Sequence, residues 1–217
     1  MKIKWNGHAS FTITSSDGTV IVTDPYEPGA FGGGIGYDAV DDECHVALIS
    51  HDHADHNHTG TLGGNPEVLK GEGTVRGIDF TAVEASHDGS DGKERGRNTL
   101  FSFKVDGMRV AFMGDLGHLL SEEQLAALGG VDVLLTPVGG VFTVDPEEAS
   151  KLVEQIGPKV VIPMHYKTEK CGFPLAVVDD FARLFINAKK TGKSEMEINS
   201  SDLPASGPEI WILEHAR

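Results

Sequence analysis

The chain is poor in the residues that most readily declare a special class of protein. It holds 2 cysteines, Cys44 and Cys171, in 217 residues. Two thiols so far apart define no disulfide framework, and free thiols in a reducing cytoplasm are the expectation. Basic residues are scarce: 18 Lys and Arg stand against 33 Asp and Glu, for a net charge of −15. Such a surface repels the phosphate backbone of nucleic acid, so no nucleic-acid partner is expected. The short basic run Lys93-Glu-Arg-Gly-Arg97 is flanked by acids and reads as a loop. No apolar run is long enough to cross a membrane, and Met1-Lys-Ile-Lys-Trp-Asn6 turns polar at once. The expected location is therefore cytoplasmic, with no membrane partner. No Pro- or Ser-rich linker and no short-period repeat divides the chain. One domain over residues 1–217, able to bury a large core, is expected. The glycine-rich stretch Gly29-Ala-Phe-Gly-Gly-Gly-Ile-Gly36 has no Gly-Lys-Ser/Thr and opens no helix, which excludes a phosphate loop.

Histidine is what the chain has instead. Five of its 10 His fall between His45 and His58, most of them in His51-Asp-His-Ala-Asp-His56. This stretch follows the short apolar strand Val46-Ala-Leu-Ile49. Imidazole and carboxylate are the ligands that divalent zinc, iron and manganese prefer. A loop at the end of a rigid strand holds such ligands in fixed geometry. His51 and His53, two apart, can point the same way from extended backbone, while Asp55 and His56 follow a turn and face a second point. One loop can thus feed two metals. The spacing differs from H-E-x-x-H, which sets two His on one helical face around a single zinc.

Two sites need further ligands. His87 follows the apolar stretch Ile78–Val83, Asp115 ends Arg109-Val-Ala-Phe-Met-Gly-Asp115, and His165 ends Val160-Val-Ile-Pro-Met-His165. Each follows a strand-like run and precedes a turn, and such ends gather at one edge of a sheet.

His51-x-His53-x-Asp55-His56, followed by His87, Asp115 and His165, resembles the metallo-β-lactamase superfamily. Gly7-His-Ala-Ser10, Thr23-Asp-Pro25, Gly114-Asp-Leu-Gly117, Pro137-Val-Gly-Gly140 and Ile162-Pro-Met-His-Tyr166 are similar to a bacterial and archaeal hydrolase branch. That branch includes the ascorbate 6-phosphate lactonase-like metal-dependent hydrolases. The resemblance implies an α/β fold, a four-layer αβ/βα sandwich. It implies that His51, His53 and His87 hold one divalent ion, that Asp55, His56 and His165 hold a second, and that Asp115 bridges them. Zinc is expected, with manganese or iron as alternatives. Two departures stand out: Asn57-His-Thr59 intervene before Gly60, and the gap from His56 to His87 is short, with Asp88 as the nearest rival of His87.

Two divalent ions lower the pKa of bound water from about 16 to near 7 and so supply hydroxide. No Ser or Cys nucleophile is then required. Asp55 is the expected catalytic residue, taking a proton from the nucleophile or returning it to the leaving group. Imidazole ligands need partners on their second nitrogen, and Asp24 and Asp52 are the candidates. His8 and His118 are candidates for substrate contact or ligand support, with a backbone-satisfied turn or a helix cap as the alternative for each. His45, His58 and His215 read as solvated, and Asn98 as a turn residue. The resemblance also implies that Tyr26 to Tyr37 lies near the cleft and shapes the substrate entrance.

The remaining pattern fits packed sheets. Ser10–Thr14 and Thr19–Thr23 flank Ser16-Asp-Gly18, and Phe101–Val105 and Arg109–Met113 flank Asp106-Gly107, a hairpin signal. Ser121-Glu-Glu-Gln124 has capping-box spacing, and Asp145-Pro-Glu-Glu148 an N-cap followed by Pro. Ala149, Leu152, Val153 and Ile156 form one helical stripe; Val177, Val178, Phe181, Leu184, Phe185 and Ala188 form another. The expected function is hydrolysis of an ester, lactone or phosphodiester of a small molecule. A di-iron redox protein on the same fold is the alternative, although His53 stands where that branch has Glu. A non-catalytic metal-binding member is the third reading. The sequence leaves self-association open.

Overall fold

A computed structural model describes residues 1–217. In chain order the elements are β1 (Lys2–Gly7), β2 (Ser10–Thr14), β3 (Val20–Thr23), the single turn α1 (Ala30–Gly33), β4 (Val46–Leu48), β5 (Glu67–Leu69), β6 (Gly73–Val75), β7 (Ile78–Ser86), β8 (Arg97–Val105) and β9 (Met108–Phe112). There follow α2 (Glu122–Leu128), β10 (Val133–Pro137), α3 (Pro146–Ile156), β11 (Val160–Met164), α4 (Val178–Ala182), β12 (Ala188–Lys190), β13 (Glu195–Glu197) and β14 (Glu209–Ile212). They form two sheets, ordered β13-β1-β2-β3-β4-β5 and β12-β14-β11-β10-β9-β8-β7-β6.

Alternation explains the facing of the first sheet. In β1, Lys2 is exposed and Ile3 and Trp5 are buried; in β2, Phe11 and Ile13 point inward with them. These residues join Phe80, Phe101, Phe103, Phe112 and Leu134 of the second sheet in one cluster of 45 buried residues. The strands β10 and β11 are buried along their whole length, as continuous apolar runs require. The outer side of the first sheet is covered by a second, smaller cluster that includes Val22, Tyr26, Tyr37, Cys44 and Cys171. Both cysteines are free and buried there.

The sequence's local signals translate directly. Asp106 and Gly107 have φ of 50° and 79°, the positive pair that a tight hairpin between β8 and β9 demands. Ser121 and Asp145 each close a complete capping box on α2 and α3. The last helix is a correction. The stripe to Ala188 stops at Ala182, because Ala188–Lys190 pairs in parallel with Ile210–Ile212 as an edge strand. Bonds from Leu184 N–H to Phe181 O and from Phe185 N–H to Ala182 O tighten the final turn before that exit.

Strand direction positions the site. In the first sheet β3 and β4 are parallel, and β1 shares their direction because two antiparallel steps separate it from β3. In the second sheet β9, β10 and β11 are parallel, and β7 joins them by the same two-step count. The C-terminal ends of β1, β3, β4, β7, β9 and β11 carry His8, Asp24, His51 to His56, His87, Asp115 and His165.

Candidate metal centre

Two groups of ligand-type side chains meet at this edge. His51, His53 and His87 form one; His8, Asp55, His56 and His165 form the other, and within each the ligand atoms lie within 4.8 Å of one another. Asp115 stands between them. Its Oδ2 is 3.2 Å from His56 Nε2, 3.3 Å from His87 Nε2 and 3.3 Å from His165 Nε2. Asp115 Oδ1 and His56 Nε2 are buried without a hydrogen-bond partner. Native interiors rarely leave such groups alone, and a cation between them would satisfy both. His87, which the short gap put in question, is in this cluster; its rival Asp88 is not.

The second ring nitrogens explain why the Nε2 atoms face inward. Asp24 is fully buried and its Oδ2 accepts from His56 Nδ1 at 2.8 Å. The same oxygen accepts from Ser50 Oγ at 2.5 Å, which leaves Ser50 Oγ to accept from His51 Nδ1 at 2.9 Å. His87 Nδ1 donates to the Phe142 carbonyl at 3.0 Å. In each neutral imidazole the proton is drawn to Nδ1, which leaves the Nε2 lone pair for a ligand. Asp24 therefore orients imidazoles of both groups, one directly and one through Ser50. Asp52, the other candidate for that duty, is exposed and bonds Lys70 and Asn57 instead. It lies outside the site because the loop turns its side chain to solvent.

Backbone strain concentrates here. His8, Asp24 and His165 have φ of 50°, 33° and 51°, left-handed values that non-glycine residues seldom adopt. Gly114, with φ of 50°, has no such freedom to change: a Cβ there would lie 2.5 Å from Ser50 Cβ. Its bareness lets the end of β9 press onto Ser50 and Asn98. Asn98 is buried within β8, not in a turn. Its Oδ1 accepts from the Asp115 N–H at 3.0 Å and its Nδ2 donates to Met113 O at 2.9 Å, fixing the backbone that carries Asp115. Little in the sequence signals this role, because β8 carries Arg97, Thr99, Ser102 and Lys104 as well.

Electrostatics follows from crowding. Burial pushes His8 down to about 4, helped by the neighbouring His165, although the bond to Asp55 opposes it. Burial likewise takes His51 down to about 2, with the His56 charge adding to it, and lowers His87. His56 goes the other way: burial lowers it, but the Asp115 and Asp55 carboxylates overcome burial and raise it well above the usual value. Asp115 is correspondingly held well below the carboxylate range, burial notwithstanding, by His165 and His56. Asp55 is lowered too, with His56 and His8 outweighing burial; His8 Nε2 sits 3.1 Å from its Oδ2. Burial raises Asp24 despite its bonds from His56 and Ser50. The metal-free site thus sets neutral His8, His51 and His87 around a protonated His56 and the ionised carboxylates of Asp55 and Asp115. A cation binding at His56 Nε2 must displace that proton.

A cavity of about 290 Å³ opens above the cluster. His53, Asp55, His87, Asp115 and His165 line it, together with Phe31, Arg95, Phe142 and Phe173. Phe31 brings the segment Tyr26 to Tyr37 to the cavity, whereas the two tyrosines are buried behind it. Arg95, which the sequence marks only as part of a loop, and Phe142 and Phe173, which it does not mark at all, reach the cavity through the fold. Three expectations fail on placement. His118 lines a different surface hollow; its Nε2 accepts from the Ser86 N–H at 3.0 Å and so secures the end of β7 rather than meeting a substrate. His45 is half-buried and accepts from the Val20 N–H at 3.0 Å. His215 bonds Glu169 at 2.6 Å and packs edge-on against Trp5 and Tyr37. Asp88 is also explained: its carboxylate accepts from the N–H groups of Ser90, Gly92, Glu94 and Arg95, at 2.8–3.0 Å.

Strand-end histidines and aspartates at the meeting edge of two sheets define a class, and the chain belongs to it. Residues 2–165 match the beta-lactamase superfamily domain. Among its relatives is a UPF0173 metal-dependent hydrolase of Methanopyrus kandleri, 33% identical over 198 residues, covering 77% of this chain and 85% of that protein. One from Thermococcus onnurineus is 31% identical over 195 residues, with the same coverage of 77% and 85%. The fold is also similar to the crystal structure of a candidate Zn-dependent hydrolase of the metallo-beta-lactamase superfamily from Thermotoga maritima. That match has a TM-score of 0.79 at 34% identity and covers 98% of this chain and 99% of the other. No helix is long and apolar enough to cross a membrane.

Proposed function

We propose that the protein is a dinuclear metal-dependent hydrolase acting on an ester, lactone or phosphodiester of a small molecule. One observation carries the reading: a single buried carboxylate oxygen, Asp115 Oδ2, lies 3.2–3.3 Å from imidazole nitrogens of both ligand groups. A carboxylate so placed serves two charges at once. The donor set of nitrogen and carboxylate oxygen, without thiolate, suits zinc, manganese or iron. His51, His53 and His87 would hold one ion, and Asp55, His56 and His165 the other. When bound, such ions supply Lewis acidity and a water whose pKa falls to near 7.

The chain's own groups supply the rest. Asp55, at the cavity floor, can take a proton at a carboxylate oxygen and pass it to a leaving group. His8 is neutral at pH 7 with its pKa at about 4, and its bond to Asp55 Oδ2 keeps that carboxylate ionised. Asp24 and Ser50 keep His51 and His56 in the tautomer that binds. Phe31, Phe142 and Phe173 cover the floor and restrict water around it.

The test is elemental analysis of protein reconstituted with Zn²⁺ or Mn²⁺, alongside ester, lactone and phosphodiester substrates. The expected result is two ions per chain and turnover that a chelator abolishes and added metal restores. One ion per chain after reconstitution would remove the dinuclear reading. Sustained oxygen consumption with an electron donor, and no hydrolysis, would replace it with the redox one.

A further inference from the structure

We propose that the site selects substrates bearing an oxyanion group on an aromatic or similarly flat apolar body, with Arg95 as the residue that binds the anion. The inference rests on the hydrolase reading for what happens to the substrate, but not for how it is recognised. Four observations converge on it.

First, Arg95 is the only Lys or Arg that lines the cavity, in a chain with 15 more acids than bases. Its guanidinium lies 5.7 Å from the centre of the Phe142 ring, which steers the planar cation without using its N–H donors. The one carboxylate near it, Glu94, is exposed and 3.6 Å away, a contact that solvent screens. The donors are therefore available to a carboxylate or phosphate, which a guanidinium grips with two parallel bonds.

Second, the position of Arg95 is built, not incidental. Asp88 accepts four backbone N–H groups from residues 90–95, the last being that of Arg95 itself at 2.8 Å. Third, three phenylalanines complete the wall from three distant loops. Phe173 is 5.7 Å from Phe31 and 5.6 Å from Phe142, ring centre to ring centre, both edge-on. Rings set edge-on offer a flat guest both edges and a face to pack against. Fourth, Phe31 is 60% exposed and is held at φ of 55°, in a turn with Gly29, Gly32 and Gly33 also at positive φ. An exposed aromatic residue in a left-handed conformation is costly on both counts, and strain of this kind accumulates where a ligand is gripped. The volume, about 290 Å³, limits the guest to a small molecule.

The experiment is calorimetric binding of benzoate, phenylphosphate and neutral benzamide to metal-reconstituted protein, compared with Arg95→Gln and Phe173→Ala. Wild type should bind benzoate or phenylphosphate at least tenfold more tightly than benzamide. Arg95→Gln should lose about tenfold for the anions while benzamide binding and metal content stay unchanged, and Phe173→Ala should weaken all three probes. Preference for phenylphosphate over benzoate would assign the anion as phosphate, and the reverse as carboxylate. The proposal is overturned if wild type binds no anionic probe, or if Arg95→Gln binds the anions as wild type does, since metal alone would then be the anion site. Arg95-dependent binding together with a silent hydrolase panel would leave the recognition standing and remove the reaction class.

Discussion

The two ligand groups are built differently. In the group of His51, His53 and His87, the middle residue is exposed, and the other two are steered by a serine hydroxyl and a backbone carbonyl. In the group of His8, Asp55, His56 and His165, every member is buried, two sit on left-handed backbone, and Asp24 backs His56 directly. One group reaches the solvent through His53; the other is part of the packed edge between the sheets. On the proposed dinuclear reading, unequal access would keep one ion as structure while the other meets substrate and solvent.

Asp115 is where that contrast should collapse, so its loss should have the largest effect. Asp115→Ala is expected to empty both groups and lower turnover by about a thousandfold, equivalent to roughly 4 kcal/mol. Elemental analysis and kcat on reconstituted protein measure it; retention of two ions would show that the halves are independent.

Removing the backing should come next. Asp24→Asn is expected to weaken metal affinity by about 10–100-fold in both halves, because Asp24 reaches His56 directly and His51 through Ser50. Ser50→Ala should affect only the half containing His51. Competition titrations with a chromophoric chelator separate the two, and equal losses for Ser50→Ala would break the distinction.

Without substitution, the exposure of His53 predicts an order of release. Stopped-flow chelation should be biphasic, with one ion leaving several-fold faster. His53→Ala should eliminate the fast phase and spare the slow one. A single phase for two ions would mean that the halves are equally accessible.

The smallest effect should lie in acid, outside both halves. Burial would raise Asp88, but the N–H groups of Arg95, Ser90, Glu94 and Gly92 outweigh it and hold its pKa at about 2. A carboxylate depressed on folding stabilises above its unfolded pKa, about 4, and loses that contribution as pH falls through its folded value. Amide hydrogen exchange of residues 90–95 should therefore lose protection between about pH 4 and pH 2. Asp88→Asn should abolish that pH dependence. An unchanged profile in the variant would assign the transition to another group.

The two halves were also unequally legible in the sequence. Metal ligation admits few residue types, and His51 to His56 concentrates four of them on one loop. Asp115 and His165 could be found because strand ends gather where parallel strands point. The hairpin at Asp106-Gly107 and the caps at Ser121 and Asp145 were legible because their chemistry is local. What failed was tertiary. Asp52 sits amid the ligands in sequence, yet a turn sends it to Lys70. Asn98 lies 17 residues from Asp115 and meets it only because β8 and β9 pair. Phe31, Phe142 and Phe173 are ordinary apolar residues until three loops converge. Arg95 reads as part of a loop, and nothing in its neighbours' identities reveals that the loop folds around Asp88.

That loop has a consequence for how this protein can change over time. Asp88 grips the backbone of residue 95 and not its side chain, so this anchor does not depend on what position 95 displays, whereas position 92 is held to glycine by a φ of 75° and by Gly96 O, 2.7 Å from where a Cβ would stand. Substitutions at position 95 can redraw what is admitted above the cluster while leaving the floor untouched. Descent with modification thus has a replaceable part to act on, separated by one aspartate from the ligand cluster beneath it.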